Sequence, residues 1–522
     1  MNLKLLIHTL RYLRLRQVCY QVRYRLKKPK FVEHRMTADV VRCDVVEWVE
    51  KYCCCDGERL NFLNISDDFR GWSDTSKGML WAYNVNYMDW LNQPNMTYDE
   101  GARWIDGFID ELPSNCVGQD PYPIALRMIN WIKFITKHWE CTPVEKRTLW
   151  CNSIYAQYQL LHKKLEYHLL ANHLLEDVFA LFIGAMFFAD AKMYKHSVKL
   201  LKQELNEQIL RDGMHYEQSV MYHLILLDRL LDCYNFASNN VRFERQQSVN
   251  DFLLKKAELM LGFLEAIRYA DDSFPMCNDA ALGIAPTITD VFEYAKRLNI
   301  CWQRVGLSDS GYRRMANSWF EATVDVGNIM SAYQPGHTHA DSLNYELRID
   351  GEPFIVDTGI STYNKTARRQ YERSSMAHNV VVIDGRDSSE VWGGFRVGSR
   401  AKVKLHEDAP SRVVASHDGY GAMVQRGFEL CDNQFVVADV VASGAEAISY
   451  IHFAPNINPV VEHNRLIIQQ ANIEVEGATA IEIFDETIST EYNIFHPIKV
   501  VKIRFKTNLK YKIKTNENII FN

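Results

Sequence analysis

Residues 343–351 have the sequence LNYELRIDG, which alternates apolar and polar side chains and ends in an Asp-Gly pair. Successive side chains of a β-strand point to opposite faces of the sheet, so Leu343, Tyr345 and Leu347 are expected on one face. Asp-Gly is a preferred two-residue hairpin turn, because both positions tolerate a positive φ. The stretch therefore predicts a strand that leads into a β-hairpin.

The C-terminal part of the chain repeats this pattern. A second pair, Asp384-Gly385, follows the apolar run Val380–Ile383, and alternation returns at Lys502–Phe505 and Tyr511–Lys514. Strands that follow one another with short turns are typical of antiparallel sheets rather than parallel ones. Residues 309–522 are therefore predicted to form an antiparallel β-sandwich.

The preceding part of the chain has the period of helices. Long apolar runs cover Leu160–Phe188, Val220–Leu231 and Phe252–Ile267, and turn signals such as Asp212-Gly213 separate them. Many helices in one domain are typical of a helical array or a toroid of hairpins. Because 522 residues exceed one ordinary domain, we predict a helical domain over residues 76–308. Residues 1–75 are predicted to be a basic extension that packs on it.

The composition is that of a folded globular protein, with 47% hydrophobic and 24% charged residues. A net charge of -6 gives no reason to expect nucleic acid as a partner. The 12 cysteines show no regular spacing, which favours reduced thiols and a cytoplasmic location.

The N-terminal 30 residues are basic, with nine Lys or Arg, no acidic residue and interleaved apolar side chains. No apolar run is long enough for a signal peptide, and no segment is expected to span a bilayer. A basic amphipathic helix of this kind either lies on an anionic membrane surface or packs as a solvated helix on the first domain. The sequence leaves both interpretations open, so peripheral contact with the inner membrane is one alternative for a cytoplasmic protein.

Three histidines and two carboxylates fall close together in the sequence: His337, His339, Asp341, Asp357 and His378. Residues two apart share a face on a strand, so His337 and His339 can point the same way. Histidine is a common metal ligand and titrates near neutral pH. The cluster predicts either a metal site or an acid–base site.

Two segments of the helical half carry polar side chains in apolar surroundings. Residues 166–177, EYHLLANHLLED, hold Asn172 and His173, and residues 212–223, DGMHYEQSVMYH, hold Glu217 and Tyr222. Burial of polar groups without partners costs free energy, so these side chains are expected to be paired or to line a cleft.

These segments, together with GHTHAD at 336–341, DTG at 357–359 and AHN at 377–379, resemble the heparinase II/III family of polysaccharide lyases. WAYNVNY at 81–87 and RMINW at 127–131 are similar to the N-terminal domain of that family. The resemblance covers nearly the whole chain in consistent order. It implies an incomplete (α/α) toroid followed by an antiparallel β-sandwich, with the active site in the cleft between them.

The resemblance also implies a reaction, β-elimination at a uronic acid within an acidic polysaccharide. Asn172 and His173 match the positions that neutralise the uronate carboxylate. Tyr222 and His337 match the catalytic tyrosine and histidine, and which of them takes the C5 proton depends on the stereochemistry at C5. Tyr363 resembles a further tyrosine at the cleft of the alginate-lyase branch.

Further binding residues are carried over from the same motifs. The substrate-binding candidates are Tyr87, Arg127, Trp131, Glu217 and Arg373. His339, Asp357 and His378 resemble the zinc ligands of some members, and two imidazoles with one carboxylate suit Zn²⁺. The resemblance implies a structural zinc ion, and another histidine could take the place of His378.

Two other functions stay open on the sequence alone. Helical toroids also host glycoside hydrolases, and Asp212 with Glu217, or Asp279, could form the carboxylate pair of an inverting enzyme. A non-catalytic glycan-binding protein could keep the same fold. Few clusters of Lys and Arg lie near the motifs, which argues against a heavily sulfated substrate. Without an export signal, editing of a uronate-containing surface polysaccharide is the expected setting. The sequence does not define the oligomeric state.

Overall fold

The computed structural model describes residues 3–27, 29–36, 40–442 and 444–516. The outermost residues of the predicted first and last domains, 1–2 and 517–522, lie outside the described residues. The predicted order, a helical half and then an antiparallel β half, is confirmed.

The helices come almost entirely before residue 300. They are α1 (Leu3–Leu10), α2 (Leu15–Leu26), α3 (Met79–Tyr87), α4 (Tyr98–Glu111), α5 (Pro121–Lys137), α6 (Val144–Lys164), α7 (Ala171–Phe188), α8 (Ala191–Gln208), α9 (Val220–Asn239), α10 (Gln247–Ile267), α11 (Ile288–Arg297) and α12 (Ala367–Glu372). Single 3₁₀ turns lie at Asp89–Asn92 and Ser375–Ala377.

The strands form one small sheet near the N-terminus and the sheets of the sandwich. They are β1 (Cys55–Asp56), β2 (Arg59–Phe62), β3 (Ile65–Asp68), β4 (Tyr312–Ala316), β5 (Phe320–Asp325), β6 (Tyr345–Ile349), β7 (Glu352–Ile355), β8 (Val381–Ile383), β9 (Val391–Trp392), β10 (Arg396–Val397), β11 (Val403–Ala409), β12 (Arg412–His417), β13 (Val424–Cys431), β14 (Gln434–Val441), β15 (Ala447–His452), β16 (Val460–Glu462), β17 (Arg465–Ile467), β18 (Ala471–Glu491) and β19 (Ile494–Thr515).

Helix α7 is the central helix of the first half. Nearly every side chain from Ala171 to Phe187 is buried, because the helix is apolar on all sides and α5, α8 and α9 surround it. By length and composition α7 could also cross a bilayer, which the sequence analysis did not anticipate. Its apolar window is 89% buried inside the fold, which is typical of a core helix.

The second half is a sandwich of two antiparallel sheets. One has the order β4-β5-β6-β7, and the larger one runs β11-β12-β13-β14-β19-β18-β17-β16. In the larger sheet β15 also pairs with β19, and β8 pairs with β15. Their facing side chains share one hydrophobic core, in which Tyr345 of the small sheet contacts Phe428 of the large sheet at a centroid distance of 5.6 Å. Closure of this core fixes the position of the loops that leave the small sheet.

The predicted hairpin at Asp350-Gly351 is present, with positive φ at both residues. The alternation in β6 does not mark a solvent face, because all five of its residues are buried. Glu346 accepts hydrogen bonds from the Tyr269 hydroxyl and the Met276 backbone N–H, at 3.0 and 2.8 Å. The outer face of the small sheet therefore packs on the end of the helical half, and the two halves meet there.

The basic N-terminal helices contact both halves. The Gln17 amide donates to the backbone oxygens of Leu169, at 3.2 Å, and Tyr333, at 3.4 Å. His8 lies 2.7 Å from the Glu390 carboxylate. The extension was predicted to pack on the toroid; it also contacts the β-sandwich.

Candidate active site

The helical course of the chain is interrupted just before Asn172. Leu170 and Ala171 have φ of 65° and 56°, a conformation that costs a non-glycine residue about 1–3 kcal/mol and that recurs at functional sites. The Asp177 carboxylate stabilises the break by accepting the Glu166 backbone N–H at 2.8 Å. The apolar runs over Leu160–Phe188 gave no sign of this break between α6 and α7, because apolar periodicity does not reveal a left-handed backbone conformation. As a result, Asn172 lies in the first turn of α7.

Asn172 is held by the loop that precedes α9. Its side-chain Nδ2 lies 3.0 and 2.9 Å from the two carboxylate oxygens of Glu217, and its backbone N–H donates to Glu217 at 3.0 Å. Nδ2 is also 3.4 Å from His337 Nε2, and Glu217 is 3.4 Å from the same nitrogen. These contacts join a toroid helix, a toroid loop and a β-domain loop.

Tyr222 stacks against His337, with ring centroids 3.9 Å apart at 30°. The helix that carries it begins one turn earlier, where Ser219 caps α9 by accepting the Tyr222 backbone N–H. The Tyr222 hydroxyl lies 3.0 Å from the Tyr363 hydroxyl, which is 3.4 Å from His337 Nδ1. Burial raises the pKa of Tyr222 and of Tyr363 well above the ordinary value, which favours the neutral phenols in the free protein.

Asp279 organises the site from below. It is fully buried and lies 2.8 Å from His337 Nδ1 and 2.8 Å from His339 Nε2. The Arg369 guanidinium donates to both of its oxygens. Burial alone would raise the pKa of Asp279, but Arg369 and the two histidines hold it well below the ordinary value. A carboxylate can only accept, so Nδ1 of His337 carries a proton and Nε2 faces Asn172 and Glu217.

From the sequence, Asp279 was a candidate only for a hydrolase carboxylate, and Arg369 was not a candidate at all. The position of Arg369 within the motif region was visible, but its partner lies 90 residues away in the chain. Only the fold brings this pair together.

His173 stands on the helical wall of the site. Its Nδ1 lies 3.1 Å from the Glu166 carboxylate, and its ring contacts Tyr122, which contacts Tyr87 in turn. Burial lowers the pKa of His173, but Glu166 outweighs it and the net shift is upward. The imidazole therefore keeps its proton to a higher pH than a free histidine.

Three of the substrate-binding candidates need correction. Arg127 is fully buried and donates to Gln157 and to the backbone oxygens of Asn86 and Gly118. Trp131 is fully buried in the toroid core. Arg373 is also buried, and its guanidinium donates to the Thr338 backbone oxygen. These three side chains face the interior, so they are not placed to contact a glycan.

The carboxylates proposed for a hydrolase are committed to other partners. Asp212 accepts the backbone N–H groups of Ser308 and Ser310, both at 2.9 Å. Glu217 is occupied by Asn172, and Asp279 by Arg369 and two histidines. These three residues therefore do not form the pair of opposed carboxylates that an inverting glycoside hydrolase needs.

A second cluster lies behind His337. Ligand atoms of Asp341, Asp357 and His378 lie within 4.8 Å of one another, and all three residues are buried. His378 Nδ1 is 2.9 Å from Asp357. Among the described residues, His378 Nε2, one Asp341 oxygen and His339 Nδ1 are buried without a hydrogen-bond partner. This compact set contains the predicted Asp357 and His378 and adds Asp341. The predicted His339 lies beside it, with Nε2 on Asp279 and Nδ1 without a hydrogen-bond partner in the described part of the chain.

The two carboxyl groups of this cluster have pKa values that are shifted in opposite directions. Burial raises the pKa of Asp341 to about 6. Burial also acts on Asp357, but His378 brings its pKa below the ordinary value. Oxygen and imidazole donors with unused buried atoms fit a divalent cation such as zinc in ligand type.

Comparison with known proteins agrees with this architecture. A family model described as heparinase II/III N-terminus matches residues 125–298, and one described as heparinase II/III-like, C-terminal matches residues 302–516. The heparin-sulfate lyase of Bacteroides thetaiotaomicron is 23% identical over 299 residues, which are 49% of this chain and 41% of that protein. The heparin-sulfate lyase of Pedobacter heparinus is 27% identical over 244 residues, or 40% and 35%. The chain thus aligns with less than half the length of these curated relatives.

A solved structure of a heparinase III gene product superposes with a TM-score of 0.66 at 15% identity, covering 87% of this chain and 83% of that chain. This likeness confirms the predicted combination of an (α/α) toroid and a β-sandwich. The two family matches cover most of both halves, in the order in which the motifs occur. The chain therefore belongs to the heparinase II/III-like family.

Proposed function

We propose that this protein is a polysaccharide lyase that cleaves a uronic-acid-containing glycan by β-elimination. One observation carries the proposal: Asn172, Tyr222, His337 and Tyr363, which come from both halves of the chain, meet through hydrogen-bond and ring contacts at one place. The relatives that match the chain are named heparin-sulfate lyases, which supports the same reaction class.

The first requirement of the reaction is to neutralise the uronate carboxylate, because the C5 proton is only weakly acidic beside an anion. The Asn172 amide and the protonated His173 imidazole are the donors for this task. Glu166 raises the pKa of His173 and so favours its cationic form, and Glu217 fixes the orientation of Asn172.

The second requirement is a pair of proton transfers. The C5–H bond breaks, its electrons form a C4–C5 double bond, the C4–O bond breaks, and the leaving oxygen takes up a proton. Tyr222 and His337 are the groups that serve as acid and base, with their roles set by the configuration at C5. The Tyr363 hydroxyl lies 3.0 Å from the Tyr222 hydroxyl and 3.4 Å from His337 Nδ1, so Tyr363 holds the phenol of Tyr222 beside the imidazole.

The charge around the site supports a weakly sulfated substrate. Arg369 is paired with Asp279, and Arg373 is enclosed by backbone oxygens. Neither guanidinium is available to bind sulfate groups, whose recognition depends on accessible Arg and Lys. A plain uronate glycan, such as a surface polysaccharide, matches the donors present.

The buried cluster behind His337 is the site that would hold zinc in this chain. Asp341, Asp357 and His378 are its ligands, with His339 adjacent. A bound cation would neutralise the negative charge of the two buried carboxylates, and it would stabilise the loop that carries His337. Asp279 separates the cluster from the proton-transfer groups, which supports a structural role.

The test is a panel of uronic-acid polymers incubated with the purified protein while ultraviolet absorbance is recorded. A lyase produces an unsaturated uronate that absorbs, whereas a hydrolase releases new reducing ends without absorbance. Tyr222→Phe and His337→Ala are expected to lower kcat by about 10²–10⁴-fold. Tyr234→Phe, on the same helix but remote from the site, is the matched control and should keep full activity.

The outcomes separate the three candidate functions. Absorbance that disappears with Tyr222→Phe supports the lyase. New reducing ends without absorbance would support the hydrolase. Glycan binding without turnover, unchanged by either substitution, would support a binding protein and refute catalysis.

A further inference from the structure

The N-terminal helices α1 and α2 have an inward face that is fully engaged with the protein. His8 and Thr9 of α1 contact Glu390 and the Trp392 indole, at 2.7 and 3.1 Å. On α2, Gln17 is buried, and Tyr20 packs on Tyr167 at a centroid distance of 4.7 Å. The helices are therefore folded and fixed before any partner arrives.

The outward face of the same helices is apolar and exposed. Its residues are Leu3, Ile7 and Leu10 on α1, and Leu15, Val18, Val22 and Leu26 on α2. Leu15 and Leu26 are 78% and 79% exposed. The spacing of three and four residues places each set on one side of its helix. Elsewhere on the surface exposed aliphatic side chains occur mostly singly, but here seven fall within one short segment, and such clusters mark interaction sites.

Basic side chains flank this apolar face. Looking down α2 at 100° per residue, Arg16 and Arg23 lie on one side of the apolar row, and Arg25 lies on the other. In the part of the chain that the structure describes, Arg23, Arg25 and Lys27 take part in no ion pair. No acidic residue occurs in residues 1–30, and Glu207 pairs with Arg14, so the uncompensated positive charge is that of Arg23, Arg25 and Lys27.

We propose that the outward face of α1 and α2 is a docking surface for an anionic lipid bilayer. Aliphatic residues at the centre would enter the boundary between headgroups and acyl chains, while the flanking Arg and Lys contact lipid phosphates. A second copy of this chain is a poor partner for the same face, because two such faces would bring uncompensated positive charges together. Because the inward face already fixes the helices, docking requires no folding of the segment.

The experiment is sedimentation of the full-length protein with lipid vesicles, either neutral phosphatidylcholine or a mixture with phosphatidylglycerol, at low and high salt. Binding is expected to the anionic vesicles at low salt and to weaken with salt. Val22→Gln with Leu26→Gln should lower the affinity at least about ten-fold. Arg25→Gln with Lys27→Gln should lower it by about five-fold for each charge removed. Val241→Gln, at another highly exposed apolar position, is the matched control.

All of these positions are exposed, so the variants are expected to remain folded, and thermal melting of each variant verifies this. Absence of binding to anionic vesicles by the unaltered protein would overturn the proposal. Equal binding by the Val22/Leu26 double variant would also overturn it, because the contact would then lie elsewhere. If light scattering instead shows a dimer that this variant converts to a monomer, the face belongs to a second copy and not to a bilayer. Since lyase activity on soluble glycan is measured separately, failure here leaves the proposed reaction untouched.

Discussion

The substitution Asp279→Asn changes a single buried atom at the point where four side chains meet. In the native protein this carboxylate receives two hydrogen bonds from Arg369 and one each from His337 and His339. The variant leaves the guanidinium buried without a counter-charge. Removal of one member of such a buried pair costs about 3–5 kcal/mol. We therefore expect the free energy of unfolding to fall by that amount in urea denaturation.

The same substitution should impair catalysis for a different reason. An amide can donate to His337 Nδ1, which would move the ring proton to Nε2, the nitrogen that faces Asn172. The expected loss in kcat is about 10²–10⁴-fold, the range of a lost proton-transfer group. The assay is the initial rate of ultraviolet absorbance on a uronate polymer that the unaltered protein cleaves.

A matched control separates the two effects. Asp439 forms a similar buried pair with Arg426 in the β-sandwich, with contacts of 2.6 and 2.9 Å. Asp439→Asn should lose comparable stability but keep its kcat under conditions where it is folded. If Asp279→Asn retained kcat within about two-fold, or if both variants lost activity equally, the assignment of Asp279 as a positioning residue would be refuted.

Further predictions concern protonation, core contacts and metal. Because Glu166 raises the pKa of His173, the cationic form persists to a higher pH than in a free histidine and is lost as the pH rises through that raised pKa. Glu166→Gln should therefore shift the alkaline limb of kcat/KM to lower pH, and an unchanged limb would contradict this role. Arg127→Lys should lower the free energy of unfolding by about 1–3 kcal/mol and leave KM unchanged, because it removes buried hydrogen-bond donors. A variant that is stable but has a raised KM would instead show that Arg127 contacts the substrate. Metal analysis should find about one zinc per chain, and a chelator or His378→Ala should lower the melting temperature. A metal-free protein of unchanged stability would argue against the site at Asp341 and His378.

Local patterns predicted much of the fold. Alternation at Tyr345–Ile349 with Asp350-Gly351 marked a real strand and turn, because turn chemistry is encoded within a few residues. The helical period identified α9 and α10 but missed the break before Asn172. That break depends on tertiary contacts such as the one between Asp177 and Glu166.

The motifs identified the residues that meet at the site, but not the direction in which each side chain points. Arg127 and Arg373 lie next to motif residues and yet face the interior. Asp341 was visible within the motif, but only the fold shows that its carboxylate lies beside Asp357 and His378. Such choices depend on partners that are distant in sequence, which one chain read alone does not reveal.

The contacts of the first helix have a consequence for the order of folding. His8 meets Glu390 across a separation of 382 residues, so α1 must wait until most of the chain that follows it has been made before it can dock. Pairing of such distant segments is slow, and uncovered apolar side chains invite aggregation in the meantime. Until α1 docks, its apolar side chains need a chaperone or another temporary binding partner to prevent aggregation.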